Sequence, residues 1–397
     1  MPELISIDEA LALILERVRP RPGEAVAIDV AAGRVLAEDA HAAIDLPPFP
    51  SSAMDGFALR AADAPGSLPV VARVAAGVPA PRPLEQGETM AIATGGVVPD
   101  GADAVVPIEY VVAHDNSTTF PDAVAPGANI RPRAGDLRAG ELVVAAGARL
   151  GATQLGALAA AGVARVVCAP EPRASVLATG TELRRPGEAL GPGEVYDANG
   201  LMLATQLASA GCAVERLTSV ADDEEAHRAA LARGLEADVL VTSGGVSVGP
   251  HDLVRRILAE LGVEEVFWRV AAKPGKPVSF GVRGETLVFG LPGNPVSSLV
   301  GFELFVRPAL NALQGLAEPG PAYRPGRLAR ALERSGSRDE LVRARTRVEA
   351  DGIVLEPLAG QESHMIARAA AADALVLVPR GEGRIEAGAP VSWLPLP

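Results

Sequence analysis

The pattern of apolar and polar positions divides the chain into unlike stretches. Residues 8 to about 18 repeat apolar side chains at helical spacing with acids at the start, and predict an amphipathic helix. A short apolar stretch follows over residues 26–35. Residues 66–139 are broken by Pro and Gly into short runs such as LPVVARVAAG and DAVVPIEYV, with no helical period, and read as a small all-β unit. A helical stretch, ATQLGALAAAG, then leads into the apolar run ARVVCAP. Between residues 171 and 317 apolar strands alternate with helical patterns: ASVLATG, NGLMLATQLASAG, AVERLTSV, DDEEAHRAALARGLE, ADVLVTSGG, DLVRRILAELG, EEVFWRVA, PVSFGVR, TLVFGLPG and VSSLVGFELFVRPALNAL. That alternation predicts a doubly wound, mostly parallel α/β sheet with helices on both faces. Residues 318–397 return to short strands, LVRARTRVEA, GIVLEPLA and ALVLVP, expected to close as a small β-barrel.

In an open parallel sheet, ligands bind where the strands end and helix N-termini point at them. Those ends carry, in order, Thr179-Gly180-Thr181-Glu182, then Asp222, then Ser243-Gly244-Gly245-Val246-Ser247, then Asp252, then Lys273 and Lys276, then Pro292-Gly293-Asn294-Pro295. Two glycine-rich loops and a GNP turn offer backbone N–H groups and hydroxyls to phosphate. Glu182, Asp222 and Asp252 are an oxygen-only set suited to Mg²⁺ bridging phosphate oxygens. Each residue also has a plainer reading. Asp222, Asn294 and Asn199 fit as helix N-caps, Asp252 as a favourable charge at a helix start, and Ser243 and Ser247 as turn hydroxyls. Polar groups at successive strand ends of one sheet edge are harder to explain as caps alone.

Composition sharpens this. Of the 36 basic residues only two are lysine, Lys273 and Lys276, both inside KPGKP. Everywhere else the chain uses arginine, so these positions read as sites that need a compact ammonium and not a planar guanidinium. The formal charge of −13 argues against general nucleic-acid binding. Residues 324–347 run the other way, with eight arginines against three acids, and read either as a solvated strand face or as a collector of an oxyanion. Two cysteines, Cys168 and Cys212, make neither a disulfide framework nor a zinc site. No uncharged apolar window approaches a membrane span and the N-terminus does not read as a signal peptide, so a soluble cytoplasmic protein is expected. The first strand lacks G-x-G-x-x-G, PGKP is not a Walker A loop, no G-x-S-x-G elbow occurs, and the five histidines show no metal spacing. What remains is a phosphate-handling, acid-rich site without a recognisable nucleophile.

SSAMDGFA, ATGG, RPRAGDL, ATGTEL, YDAN, SGGVSVGPHD, KPGKP and GLPGNPVSS occur in the order seen in molybdopterin molybdenumtransferases, enzymes that resemble the E domain of gephyrin. The resemblance covers essentially the whole chain. It implies a four-part subunit: a helical and extended linking part over 1–45 and 140–170, a β-rich inserted part over 46–139, a molybdopterin-binding α/β part over 171–317, and a C-terminal β-barrel over 318–397. It also implies an elongated homodimer with the active site shared between subunits, a small pterin substrate, and the upstream adenylylating enzyme as a candidate partner. The family takes adenylylated molybdopterin and molybdate, cleaves the adenylate with a divalent metal such as Mg²⁺, and releases AMP. Carried over by motif, Asp55, Thr94, Asp136, Glu182, Asp222 and Asp252 form the functional polar set, of which Glu182, Asp222 and Asp252 are candidate metal ligands. Lys273, Lys276 and Ser297 form an oxyanion region, with Thr179, Gly180, Ser243, Gly244, Gly245, Ser247, Pro292, Asn294 and Pro295 around the substrate. The C-terminal part departs from the family's Gly-Arg-x-Glu-Phe. Here Ser337-Arg338-Asp339-Glu340-Leu341 stands in that place, followed by Ser363 in GQESH; Arg338 and Ser363 are the carry-over, with Arg343 as a possible substitute. An adenylyltransferase built on the central part alone, and a dimeric scaffold with a vestigial site, are the competing readings.

Overall fold

A computed structural model describes residues 4–217, 224–245 and 253–396. Helix α1 (Ile7–Arg17) begins where the Ser6 side chain accepts a hydrogen bond from the Glu9 amide at 3.1 Å, with Asp8 and Glu9 at its positive end. Ile7, Ala10 and Ile14 share one face and are buried in the core of the central α/β part. The chain then leaves and returns to one place, because Glu24–Ala27 pairs antiparallel with Arg165–Cys168, and Ala40–His41 with Leu142–Val144. Helix α2 (Ala152–Ala160) closes a small core there with Leu36, Val144, Leu150, Leu158 and Val166.

The excursion carries a six-stranded sheet in the order Ala104–Pro107, Gly56–Leu59, Thr89–Ile92, Gly66–Val74, Ser117–Phe120, Val112–Ala113. Alternate residues of its strands feed two cores. Phe57 and Leu59 pack with Phe120, while Ala58 packs with Val74 and Met90.

The central sheet runs Ala213–Arg216, Arg173–Ala178, Val239–Ser243, Thr286–Leu291, Ser279–Arg283, Glu264–Trp268. Its strands are parallel except Ser279–Arg283, which is antiparallel to both neighbours. Only Gly284 and Glu285 separate it from Thr286–Leu291, and a two-residue link can join only antiparallel strands. Buried on both faces, the inner strands Arg173–Ala178, Val239–Ser243 and Thr286–Leu291 read as near-continuous apolar runs. Val239 and Val241 meet α3 (Ala198–Ser209), α6 (Pro295–Gly301) and α7 (Arg307–Leu313), whereas Leu240 meets α4 (Glu224–Gly234) and α5 (Leu253–Glu260). A π-helical turn, Phe302–Val306, joins α6 to α7. The run Pro295–Leu313 is long and apolar enough to cross a bilayer, yet 78% of it is buried inside the chain, as a core helix is.

The C-terminal strands close a barrel. Asp339–Glu349 pairs with Gly352–Pro357, then Arg324–Leu328, Pro390–Pro395 and Ala374–Val378, which pairs back to Asp339–Glu349. Leu328, Val342, Leu355, Val376 and Trp393 fill it. The short helix α8 (Ile366–Ala369) lies on the chain between two barrel strands. The arginine-rich stretch is not an open basic face. Arg327, Arg330 and Arg347 pair with Asp351, Glu356 and Glu349, and Arg334 and Arg345 donate to backbone carbonyls.

Two local expectations are corrected. The strand Glu264–Trp268 does not run on to the lysines, since Arg269 adopts a left-handed φ of 77° and turns the chain out of the sheet. Ala272–Lys273 instead pairs in parallel with the start of the barrel strand Asp339–Glu349. The N-cap of α3 is Asp197, whose side chain accepts from the Gly200 amide at 2.7 Å, and not Asn199, which is buried in the first turn.

Candidate active site

Three loops converge where the central strands end. The Thr179 amide donates to the Ser243 carbonyl at 2.9 Å, and the Gly244 amide to the Leu291 carbonyl at 3.1 Å. Glycine is required at this meeting. Gly244 has φ +93°, and a Cβ there would lie 2.6 Å from the Thr179 carbonyl oxygen; one on Gly245 (φ +65°) would lie 2.5 Å from Val254 Cγ2. A Cβ on Gly293 of the GNP turn would lie 3.7 Å from the Gly244 Cα. The Glu182 carboxylate folds over Gly180, where a Cβ would meet its oxygens at 2.6–2.7 Å, and Glu182 itself is exposed at the rim. A cleft of about 860 Å³ opens beside Gly180 and Thr181, walled by Arg184, Arg185 and Arg216 with Glu188 and Asp197. Arg184 pairs with Glu194 and Arg216 with Asp197.

Ser243 is placed inside this cradle. Its hydroxyl accepts from Asn199 Nδ2 at 2.8 Å, donates to the Pro292 carbonyl at 3.1 Å and lies 3.2 Å from Ser298 Oγ. Asn199 Nδ2 also donates to the Gly293 carbonyl at 2.7 Å, so one amide ties the second loop to the GNP turn. Asn199 Oδ1 is buried without a hydrogen-bond partner among the described residues. Read from sequence only as a cap, Asn199 turns out to be the keystone of the site. Its place directly after Asp197-Ala198 in YDAN gives no local signal of that, because the partners come from loops 44 and 94 residues away.

Lys273 faces the barrel junction, and Lys276 follows three residues on in the same turn. The turn that carries them is closed by the Val270 amide donating to the Lys276 carbonyl at 3.0 Å, and Gly275 in it has φ +107° with open space toward the Ser297 carbonyl. The barrel is stitched on beside it, with the Asp339 amide donating to the Ala271 carbonyl at 3.0 Å. Register sets Lys273 beside Glu340, and Lys273 Nζ donates to Glu340 Oε1 at 2.9 Å. Among the described residues no hydrogen bond or ion pair engages the side chain of Lys276 or Arg338. Ser297 is buried in the first turn of α6. Asn294 stands at the N-cap of α6 but does not cap it with its side chain; Nδ2 donates across to Ser363 Oγ at 2.8 Å, and the Val296 amide donates to the Ser363 carbonyl at 3.0 Å. Pro292 and Pro295 bracket this turn and fix its course into the helix.

Arg343 does not stand in for Arg338. Only 1% exposed, its guanidinium donates to the carbonyls of Gly360 (2.7 Å), Met365 (2.9 Å) and Glu362 (3.3 Å), and Nε approaches Gln361 Oε1 at 3.4 Å. Burial lowers its pKa. It is committed to shaping the loop that presents Ser363.

Asp55 and Thr94 meet in the β-rich part. The Thr94 amide donates to Asp55 Oδ1 at 2.7 Å and its hydroxyl donates to the same oxygen at 3.0 Å. These bonds hold the carboxyl below its usual range, while its second oxygen faces outward on an exposed residue. Asp136 is exposed in the same part, its amide donating to the Leu46 carbonyl at 3.0 Å. No strand of that sheet pairs with the central one. Asp222, Ser247 and Asp252 lie outside the described residues. Among the described residues no cluster of three metal-ligating side chains forms.

Comparison with known proteins identifies the family and the fold. Residues 5–162 match the pattern described as MoeA N-terminal region (domain I and II), residues 175–312 the probable molybdopterin binding domain, and residues 325–396 the MoeA C-terminal region (domain IV). A Haemophilus influenzae protein named molybdopterin molybdenumtransferase is 33% identical over 99% of this chain and 98% of its own length. Molybdopterin molybdenumtransferase 2 of Mycobacterium tuberculosis is 38% identical over 82% of each. A crystal structure titled as the molybdopterin biosynthesis MoeA protein of Pyrococcus horikoshii superposes with a TM-score of 0.81 at 30% identity, covering 99% of both chains. By sequence over its whole length and by fold, the chain belongs to the molybdopterin molybdenumtransferase family.

Proposed function

We propose that this chain inserts molybdenum, supplied as molybdate, into adenylylated molybdopterin and releases AMP. One observation carries the reading: the glycine-lined backbone cradle ends in the GNP turn, where Asn294 bonds Ser363 of the C-terminal part, and the turn bearing the only two lysines lies against Ser297 and pairs with the barrel strand that Arg338 precedes. The cradle, formed by residues 179–182, 243–245 and 292–295, suits the phosphates of the substrate. Lys273, Lys276, Arg338 and the Asn294–Ser363 pair suit the oxyanion. With both held, reacting groups are fixed close together, and the cations stabilise charge that grows as the phosphoanhydride breaks. No covalent enzyme intermediate is required.

The donor chemistry fits a hard dication. Glu182 offers oxygen ligands at the rim, beside a glycine whose missing side chain leaves the space its carboxylate occupies, and Asp222 and Asp252 would complete an oxygen-only set. Mg²⁺ bound there would supply positive charge against the phosphate oxygens. Asp55, Thr94 and Asp136 belong in this account to the site of the second subunit of a homodimer, since they lie in the β-rich part, whose strands pair with none of the central sheet among the described residues. The two cysteines, both free and buried, suit a reducing cytoplasm.

The test uses two inactive partners. Glu182→Ala and Asp55→Ala should each abolish formation of molybdenum-loaded cofactor while leaving the fold intact. Co-expressed, they should regain part of it, because a mixed dimer keeps one undamaged site. Full turnover by either variant alone would remove the role assigned to that carboxylate, and mixed dimers without recovery would remove the shared site.

A further inference from the structure

We propose that Glu340 is a built-in competitor for the oxyanion seat: its carboxylate neutralises Lys273 until an incoming oxyanion takes its place. The inference rests on the reading that Lys273, Lys276 and Arg338 receive that oxyanion. In that reading three cations serve the seat, and they are not equivalent. Lys276 and Arg338 have no partner among the described residues, whereas Lys273 is already bonded to Glu340 at 2.9 Å.

The two ends of this pair differ in mobility. Glu340 is held on both sides by backbone pairing, to Lys273 through the short strand and to Val378 through the barrel, and its side chain is only 18% exposed. Lys273 projects an ammonium on a flexible stem, with half its side chain open to water. When the pair breaks, it is therefore the lysine that moves. Exposed ion pairs of this kind are weak and readily exchanged, so a dianion able to bond Lys276 and Arg338 can also draw Lys273 off its carboxylate. A monoanion gains less from the same exchange, since the attraction scales with its charge. The neighbouring acid, Asp339, does not share this role, because its carboxylate is engaged by the Arg380 amide at 2.8 Å. Glu340 thus keeps the seat from filling with the monovalent anions of the cell.

The experiment is calorimetric titration of the full chain with sodium molybdate at low chloride, repeated with added chloride. Glu340→Gln should bind molybdate roughly five- to tenfold more tightly, as expected for removing one nearby charge at a hydrated site, and should become more sensitive to chloride. Glu340→Ser should show the same gain, so a folding failure in one variant leaves the other to decide. A merely structural role cannot produce tighter binding. Unchanged or weaker molybdate binding in a folded variant overturns the proposal. Lys276→Met and Arg338→Met report on the seat itself. If both bind molybdate as the wild type does, the seat lies elsewhere and the competitor falls with it; if both weaken while Glu340→Gln does not tighten, only the competitor is wrong.

Discussion

Asp55 and Thr94 show how one residue pair sets a protonation state. The Thr94 amide and hydroxyl stabilise the charged carboxylate and hold its pKa down. A depressed carboxyl contributes stability that is present above its unfolded pKa and is lost as pH falls through the folded value. Thr94→Val removes the hydroxyl and keeps the amide, so the Asp55 pKa should rise part of the way back. Carbon-detected titration of Asp55 is expected to show that rise, and the acid limb of turnover should move to higher pH with it; an unmoved titration would mean the hydroxyl does not act on this carboxylate. Sequence reading found the residues here but not their partnerships. Ser243 and Asn294 were legible as polar groups at strand ends and Lys273 by the rarity of lysine, while their bonds to Asn199, Ser363 and Glu340 join positions 44, 69 and 67 residues apart. No local pattern encodes such contacts.

Elements whose cause is local could be read directly. The apolar period of α1, the Pro and Gly punctuation of the β-rich part and the apolar runs of the central strands each produced the expected element. The misreadings arose where a neighbour decided: a strand captured by the barrel, a cap supplied by Asp197 in place of Asn199. Arg343 belongs to this scale, because it organises a whole loop. Its guanidinium lies among carbonyls without an acidic hydrogen-bond partner. Arg343→Met should leave those carbonyls buried and unpaired, costing about 3 kcal/mol, read as a lower melting temperature together with weaker molybdate binding through Ser363. A variant that melts like the wild type would show that the loop holds its shape without the arginine.

Across the whole molecule, the site exists because separate parts are sewn together at one edge. Ile5 bridges to Val270, Ala272–Lys273 pairs with the barrel, and Val296 bonds Ser363, so the lysine turn is clamped from the N-terminal and C-terminal sides at once. Periodicity predicts the strands of the barrel; that the barrel closes, and that its first long strand also takes up a strand from the central part, follows from pairings across the chain. Function at this scale is a matter of what the assembled edge does to its substrate and not of the fold alone. The most direct measurement is therefore the stoichiometry of AMP and molybdenum-loaded cofactor formed from adenylylated molybdopterin, with and without molybdate. Equal amounts of both products, appearing together and only when molybdate is present, are what this account predicts. Tight binding without AMP release, or AMP release with no molybdenum in the product, would contradict it.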